Sequence, residues 1–460
     1  MLYSVQGPTT PRPTRSIGVV LGGFGHDGQM NGPGERTNNW AGAEQMGLVE
    51  ASGLAADLLA FPERGIEAAV SLGVDHVVTG LEWARIAPSR GEVDEKEIER
   101  SVTFLGQLQT NNIEPVVRLV ADSTPAWAGE EFWLMPGSPE TFCNYAEAVI
   151  GAIGPTAARF VSIADPVRTA LAGWLSGEAP PFRRGALDDA LCVLDNQLTA
   201  HLQLGAWLKG QGGFPLGLEL SKGPYDLSGA IVAVLEHARE GSTIDEINEI
   251  VTRGRELSQK SVVNEIIAAL HPLGLASGPA WARGDVQRFL QRPVPGRFLQ
   301  TAMELRERAG ISEVSTNMWQ LNLSIGGANT RRNVSMVQLQ PTDLRGLAPL
   351  GSIAGASPSF VDGFCRVAKN GVVSADSEGG IHEFFEQRGQ ELLEIEGPLR
   401  YTYDGLVDSY RMGTHSRRTG LFGLDRARGR RGVTWLQTNA GGEDAAGAFR
   451  AFAARVRASS

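Results

Sequence analysis

The feature that most constrains this chain is an alternation, in which short β-branched apolar runs are separated by longer stretches with helical spacing. Ser16 to Gly23, Asp75 to Leu81, Glu114 to Val120, Phe160 to Ile163 and Pro215 to Leu220 read as strands. They do not alternate polar with apolar residues, which is the pattern of parallel strands covered on both faces. Between them, Phe61 to Leu72, Glu95 to Thr110, Pro139 to Ile153 and Leu187 to Lys209 predict helices. Glu313 to Leu321, Gly371 to Ala375 and Leu399 to Val407 supply three further strands, and Glu443 to Val456 a last amphipathic helix. Eight strands alternating with helices predict one α/β domain over residues 1–460, a (β/α)8 TIM barrel with long loop insertions. The stretch 223–308 interrupts the spacing and is read as a helical insertion over the barrel mouth.

Composition narrows the partners. At 42% hydrophobic and 20% charged, the 460 residues are those of a soluble globular chain. A net charge of −10 gives no basic footprint, so neither nucleic acid nor an anionic membrane is expected. The one dense basic run, Arg426 to Arg431, reads as a solvated turn. Cys143, Cys192 and Cys365 are too few and scattered for a disulfide framework or a metal cluster. Neither metal nor cofactor is expected, and a reducing cytoplasm fits. Residues 1–16 lack the apolar core of a signal peptide, and no apolar run approaches bilayer-spanning length.

The chemistry concentrates at strand ends. Phe160 to Ile163 runs into Ala164-Asp165-Pro166, and Gly371 to Ala375 into Asp376-Ser377-Glu378. Carboxylates just past the carboxyl ends of barrel strands stand where such barrels build active sites. Read alone, Asp165 before Pro166 also suits a strand-to-helix cap, and Asp376 to Gly379 an ordinary polar loop. His26, His382 and His415 fall on loops without metal-ligand spacing, and His201 on a long helix reads as packing. Trp127, Trp133 and Trp174 suit aromatic walls or half-buried packing. Asp122 and Arg168 flank the Asp165 corner as its possible orienting groups.

Several motifs together resemble glycoside hydrolase family 1, the retaining β-glycosidases. They are Thr37-Asn38-Asn39-Trp40, Gly80-Leu81-Glu82-Trp83-Ala84-Arg85-Ile86-Ala87-Pro88 followed by Gly91 and Val93, Ile113 to Val117, Thr124 to Trp127, and Arg418-Thr419-Gly420-Leu421 with Asp425-Arg426. The resemblance implies that Asp165 stands at the family's acid/base position and Asp376 at the nucleophile position, with Glu378 as the rival for the latter. It implies substrate-binding roles for Gln29, Trp40 and Asn317, with Trp319 at a tyrosine position and Arg411 near a Glu-Trp pair that grips sugar hydroxyls. Trp127 is added as an aromatic wall.

The departures cluster at the chemistry. Ala121 falls where the family has histidine, Ala164 where it has asparagine, and Val78 where it has arginine. A site without those bidentate groups discriminates hydroxyl stereochemistry poorly, so the expected substrate is a glycoside or glycoside-like small molecule other than the usual sugar. Two aspartates in place of two glutamates widen the carboxyl gap by roughly 2 to 3 Å, which favours a water-mediated route. Three outcomes are expected: acid/base catalysis by Asp165 and Asp376, as hydrolysis or as a repurposed cyclisation, elimination or hydration; a non-catalytic carbohydrate- or metabolite-binding protein; or an ordinary β-glycosidase that tolerates the substitutions.

Overall fold

The structure is a computed structural model that describes residues 14–184, 186–211, 216–221, 313–315, 320–325, 332–337, 359–362, 380–411, 413–415, 420–425, 433–439 and 442–458. The 223–308 stretch, Asn317, Trp319, Cys365, Asp376 and Glu378 lie outside the described residues.

The barrel strands are β1 (Arg15–Val20), β2 (His76–Gly80), β3 (Glu114–Val120), β4 (Arg159–Ile163), β5 (Leu216–Gly217), β6 (Glu219–Ser221) and β7 (Glu313–Ser315). An antiparallel hairpin, β8 (Gln320–Ile325) with β9 (Arg332–Val337), follows before β10 (Ser359–Asp362) and β11 (Leu399–Tyr403) return to the barrel. The sheet runs β5-β4-β3-β2-β1-β11-β10-β7-β6, and every neighbouring pair is parallel. Its two ends, β5 and β6, are separated by Leu218 alone, so they are halves of one strand and the nine-segment order closes into eight strands. A short pair, β12 (Leu424–Asp425) with β13 (Thr434–Trp435), lies outside the barrel wall.

The seventh strand corrects one expectation. Ser359–Asp362 lies between the sixth and eighth barrel strands, paired with β7 on one side and β11 on the other, while Gly371 to Ala375 lie outside the described residues. The eighth strand also ends earlier than expected, at Tyr403. Glu313 to Leu321 is not one strand either, since Gln320 already belongs to the hairpin.

The barrel is filled in layers. At its base, Ser16 and Thr402 both hydrogen-bond the fully buried His76 ring at 2.8 Å. Burial, with Arg400, Arg159 and Arg457 nearby, keeps that ring well below the usual histidine range. Gly18 on β1 is required here, because a Cβ would stand 2.3 Å from the ring. Above lies a ring of valines, Val20, Val78, Val116, Val161 and Val361. The opposite faces of the strands meet the helices: Tyr401 and Tyr403 pack on Phe452, Phe449 and Phe385.

The helices begin and end where local chemistry dictates. Asp94 caps the helix Glu95–Thr110 by accepting from the Lys96 amide at 3.0 Å, and Glu95 and Glu97 in its first turn suit the helix dipole. Pro62 opens Pro62–Leu72, and Gly73 closes it in the left-handed conformation at φ 65°. No described helix is long and apolar enough to cross a membrane.

Candidate active site

The carboxyl ends of β1, β3, β4 and β11 bring one set of charged side chains together. Asp165 follows β4 at φ 47°, a left-handed conformation that aspartate tolerates better than most residues. It caps the helix Pro166–Leu171: its Oδ1 accepts from the Arg168 amide at 3.1 Å, and its Oδ2 lies 3.7 Å from Arg168 Nε. Arg168 Nη2 reaches back to Asp122 Oδ1 at 3.3 Å, so one guanidinium ties the loop after β3 to the corner after β4. Asp165 is 0% exposed, so its carboxylate is enclosed by these partners.

Asp404 follows β11. Burial alone pushes its carboxyl up, but the charge and hydrogen bonds of Arg411, with Arg118 and Arg168 nearby, take it well below the ordinary carboxylate range. Arg118, on β3, pairs with Glu219 on β6 at 2.7 Å inside the barrel. His26, on a short turn after β1, is enclosed at 4% exposure; its Nδ1 donates to the Gly22 carbonyl at 3.1 Å, which leaves Nε2 as the unprotonated nitrogen. Burial and the Arg411 charge lower its pKa to about 4.

The sequence candidates divide. Asp165, Arg411 and Trp40 belong to this rim. Trp40 donates its indole N–H to the Asp122 carbonyl at 3.1 Å and sits among Phe24, Tyr410 and Phe182, locking four loops together. Arg411 is clamped on Asp404. Gln29 hydrogen-bonds Asp57 away from this set. Trp127 donates to the Ala87 carbonyl at 2.8 Å and packs edge-on against Trp83, and Trp133 and Trp174 are core residues. His382 is exposed on the outer helix Gly380–Leu393, His415 bonds the Ala51 carbonyl, and His201 holds Ser162 behind β4. Among the described residues no cluster of His, Cys, Asp or Glu has metal-ligand geometry.

No family model matches the chain. A stretch of 134 residues, 29% of this chain, is 24% identical to a 6-phospho-beta-galactosidase of Clostridium acetobutylicum and covers 28% of it. The chain spans less than a third of the length of the curated relatives it matches. In shape, 96% of the chain overlays 98% of a beta-glucosidase from Exiguobacterium marinum, with a TM-score of 0.65 at 16% identity. It likewise overlays 97% of a family 1 beta-glucosidase from Thermotoga maritima over 96% of its own length, with a TM-score of 0.64 at 16% identity. The chain has the fold of the family 1 β-glucosidases.

Within that family 1 fold, the strand-two motif is structural. Glu82 caps the turn Trp83–Ile86, accepts from Ser123 Oγ at 2.8 Å, and thereby joins the loops after β2 and β3. Trp83 stacks on Tyr145 at 4.6 Å and is buried among aromatic rings. Sequence reading missed Asp404, Arg118 and Glu219. The signal for Asp404 was the one that found Asp165, a carboxylate just after a strand; extending the eighth strand to Val407 hid it.

Proposed function

We propose that the barrel mouth takes a glycoside or glycoside-like small molecule, and that acid/base chemistry runs between Asp165 and the carboxylate that ends the seventh strand. That strand ends at Asp362, in register with Tyr403 of β11, whereas Asp376 stands fourteen residues further along the chain. Asp362 is therefore the proposed partner in place of Asp376 and Glu378. The observation that carries this reading is a carboxylate at the carboxyl end of each of strands four and seven of a closed eight-stranded barrel. The overlay on β-glucosidases and the partial match to a 6-phospho-beta-galactosidase support a glycosidase-like role.

Two aspartates, each one methylene shorter than glutamate, suit a water-mediated displacement, which needs roughly 6.5 to 9.5 Å between carboxyls, against about 5 Å for direct attack. Asp165 serves as the acid and Asp362 as the base for water or for a substrate proton. Arg168 positions Asp165 and connects it to Asp122.

Hydrolysis of aryl β-glycosides, followed by NMR of the released sugar, tests the reading. Asp165→Asn and Asp362→Asn are each expected to lower kcat by about 10²- to 10⁴-fold, with inversion at the anomeric carbon. Turnover that survives both substitutions sinks it.

A second reading, a non-catalytic metabolite-binding barrel, is favoured by the complete enclosure of Asp165 and its use as a helix cap. It predicts a ligand-induced rise in Tm with no product formed, and unchanged binding in Asp362→Asn.

A further inference from the structure

The loop after β3 carries one exposed side chain in an otherwise buried run. From Pro115 to Pro125 every residue is buried except Asp122. Its backbone is fixed from several sides: Trp40 donates its indole N–H to the Asp122 carbonyl at 3.1 Å, Ser123 Oγ donates to Glu82 at 2.8 Å, and the Thr124 amide donates to Asn39 Oδ1 at 3.1 Å. The carboxylate is held at one oxygen, Oδ1, by Arg168 Nη2 at 3.3 Å, while Oδ2 has no hydrogen-bond partner among the described residues and the side chain is 48% exposed. Two other carboxylates gathered at this rim are already committed. Asp165 is enclosed as a helix cap, and the buried Asp404 takes both Nη groups of Arg411. His26 lies in the fields of Arg411, Asp404 and Asp122, and Asp404 in that of Arg168, so groups from the ends of β1, β3, β4 and β11 act on one space.

A fixed carboxylate with an open oxygen suits the binding of hydroxyl groups, since it only accepts and offers about four lone-pair sites, of which Arg168 uses one. Ala121 and Ala164, at the ends of the same two strands, offer a ligand no polar side chain. We propose that Asp122 is a specificity-determining residue of the mouth, its Oδ2 accepting a hydrogen bond from a ring hydroxyl of the glycoside. This rests on the reading that the mouth takes a glycoside, and it adds the group that recognises the sugar. Because Arg168 joins Asp122 to Asp165, the same contact sets the ring against the corner that carries the acid. A ligand lacking that hydroxyl leaves a desolvated carboxylate oxygen unpaired, which is how a polar site rejects a deoxy analogue.

The probes are the phenyl 1-thio-β-glycosides of glucose, galactose, mannose and xylose, whose sulfur-linked aglycone resists hydrolysis, titrated calorimetrically and followed by the monodeoxy analogues of the tightest binder. Asp122→Ala is expected to weaken that sugar on the order of 10- to 100-fold and to bind one monodeoxy analogue as the parent protein does, so that the two losses do not add. Asp122→Asn, which keeps one acceptor oxygen, should fall between. An effect carried through Arg168 weakens every analogue alike, and a general loss of structure lowers Tm, which a change at an exposed side chain is expected to leave unaltered. The proposal is overturned if Asp122→Ala binds the tightest sugar unchanged, if its loss adds fully to every deoxy loss, or if none of the four sugars binds the parent protein. Turnover of the oxygen-linked glycosides is scored separately. Binding that depends on Asp122 without turnover removes the acid/base reading and upholds Asp122, whereas turnover with binding indifferent to Asp122 does the reverse.

Discussion

Arg411 grips Asp404 through two parallel hydrogen bonds of 2.7 Å, Nη1 to Oδ2 and Nη2 to Oδ1, while its Nε donates to Ser409 at 2.9 Å. Arg411 was expected near a position that grips sugar hydroxyls, and these donors are turned on the protein itself. Removing one partner of so enclosed a pair leaves a buried charge.

Asp404→Asn is therefore expected to destabilise the fold by about 3 to 5 kcal/mol, read as a lower urea midpoint at pH 7. The double variant Asp404→Leu with Arg411→Met should cost clearly less than the sum of the single changes. Because the native Asp404 is held below its ordinary range, its stabilisation is complete above about pH 4 and is lost as the pH falls towards its folded pKa.

Asp27 behaves in the opposite sense. Its folded pKa of about 7 exceeds the unfolded value, so the folded state binds the extra proton and stability falls as pH rises from about 4 to 7. Asp27→Asn should match the parent protein at pH 4.5 and exceed it at pH 8, by up to about 4 kcal/mol in urea unfolding. An unchanged difference between the two pH values refutes this.

His26, lowered to about 4, is neutral when folded and takes up a proton when unfolded between pH 6.5 and 4. Its contribution is fully present above pH 6.5 and is lost as the pH falls through that window, by up to about 3 kcal/mol. His26→Gln should flatten this limb of the stability curve. The effect is cleanest in an Asp27→Asn background, where the opposing titration is gone.

Gly18→Ala should cost about 3 kcal/mol or more in thermal or urea unfolding, because a methyl group meets the His76 ring at the base of the barrel. Adding His76→Ala should recover part of the loss. Full parental stability in the single variant would contradict the close packing of this layer.

The barrel itself was legible because periodicity and length speak for parallel strands with helical covers, and the boundaries of Glu95–Thr110 and Glu114–Val120 follow from a capping aspartate and an apolar run. Asp165 was legible for a related reason, as a carboxylate before proline. The seventh strand was misplaced because Ser359–Asp362 offers only two apolar residues, Phe360 and Val361, whereas Gly371 to Ala375 looks the better strand in isolation. Pairing partners decide between them, and partners are not visible in a local window. Charges such as Arg118 and Glu219 were missed because an interior ion pair joins residues a hundred positions apart, and neither predicts the other.

Leu218 has a consequence for how the cylinder is sealed. The two residues before it bond only to the fourth strand and the three after it only to the seventh strand's other neighbour, β7, so the wall is fastened along one line by one short segment. While that seam is open the sheet has two raw margins, each able to pair with another chain; once it is shut there are none. Folding without aggregation thus depends on residues 216–221, and a proline introduced within them is expected to show itself first as clumping.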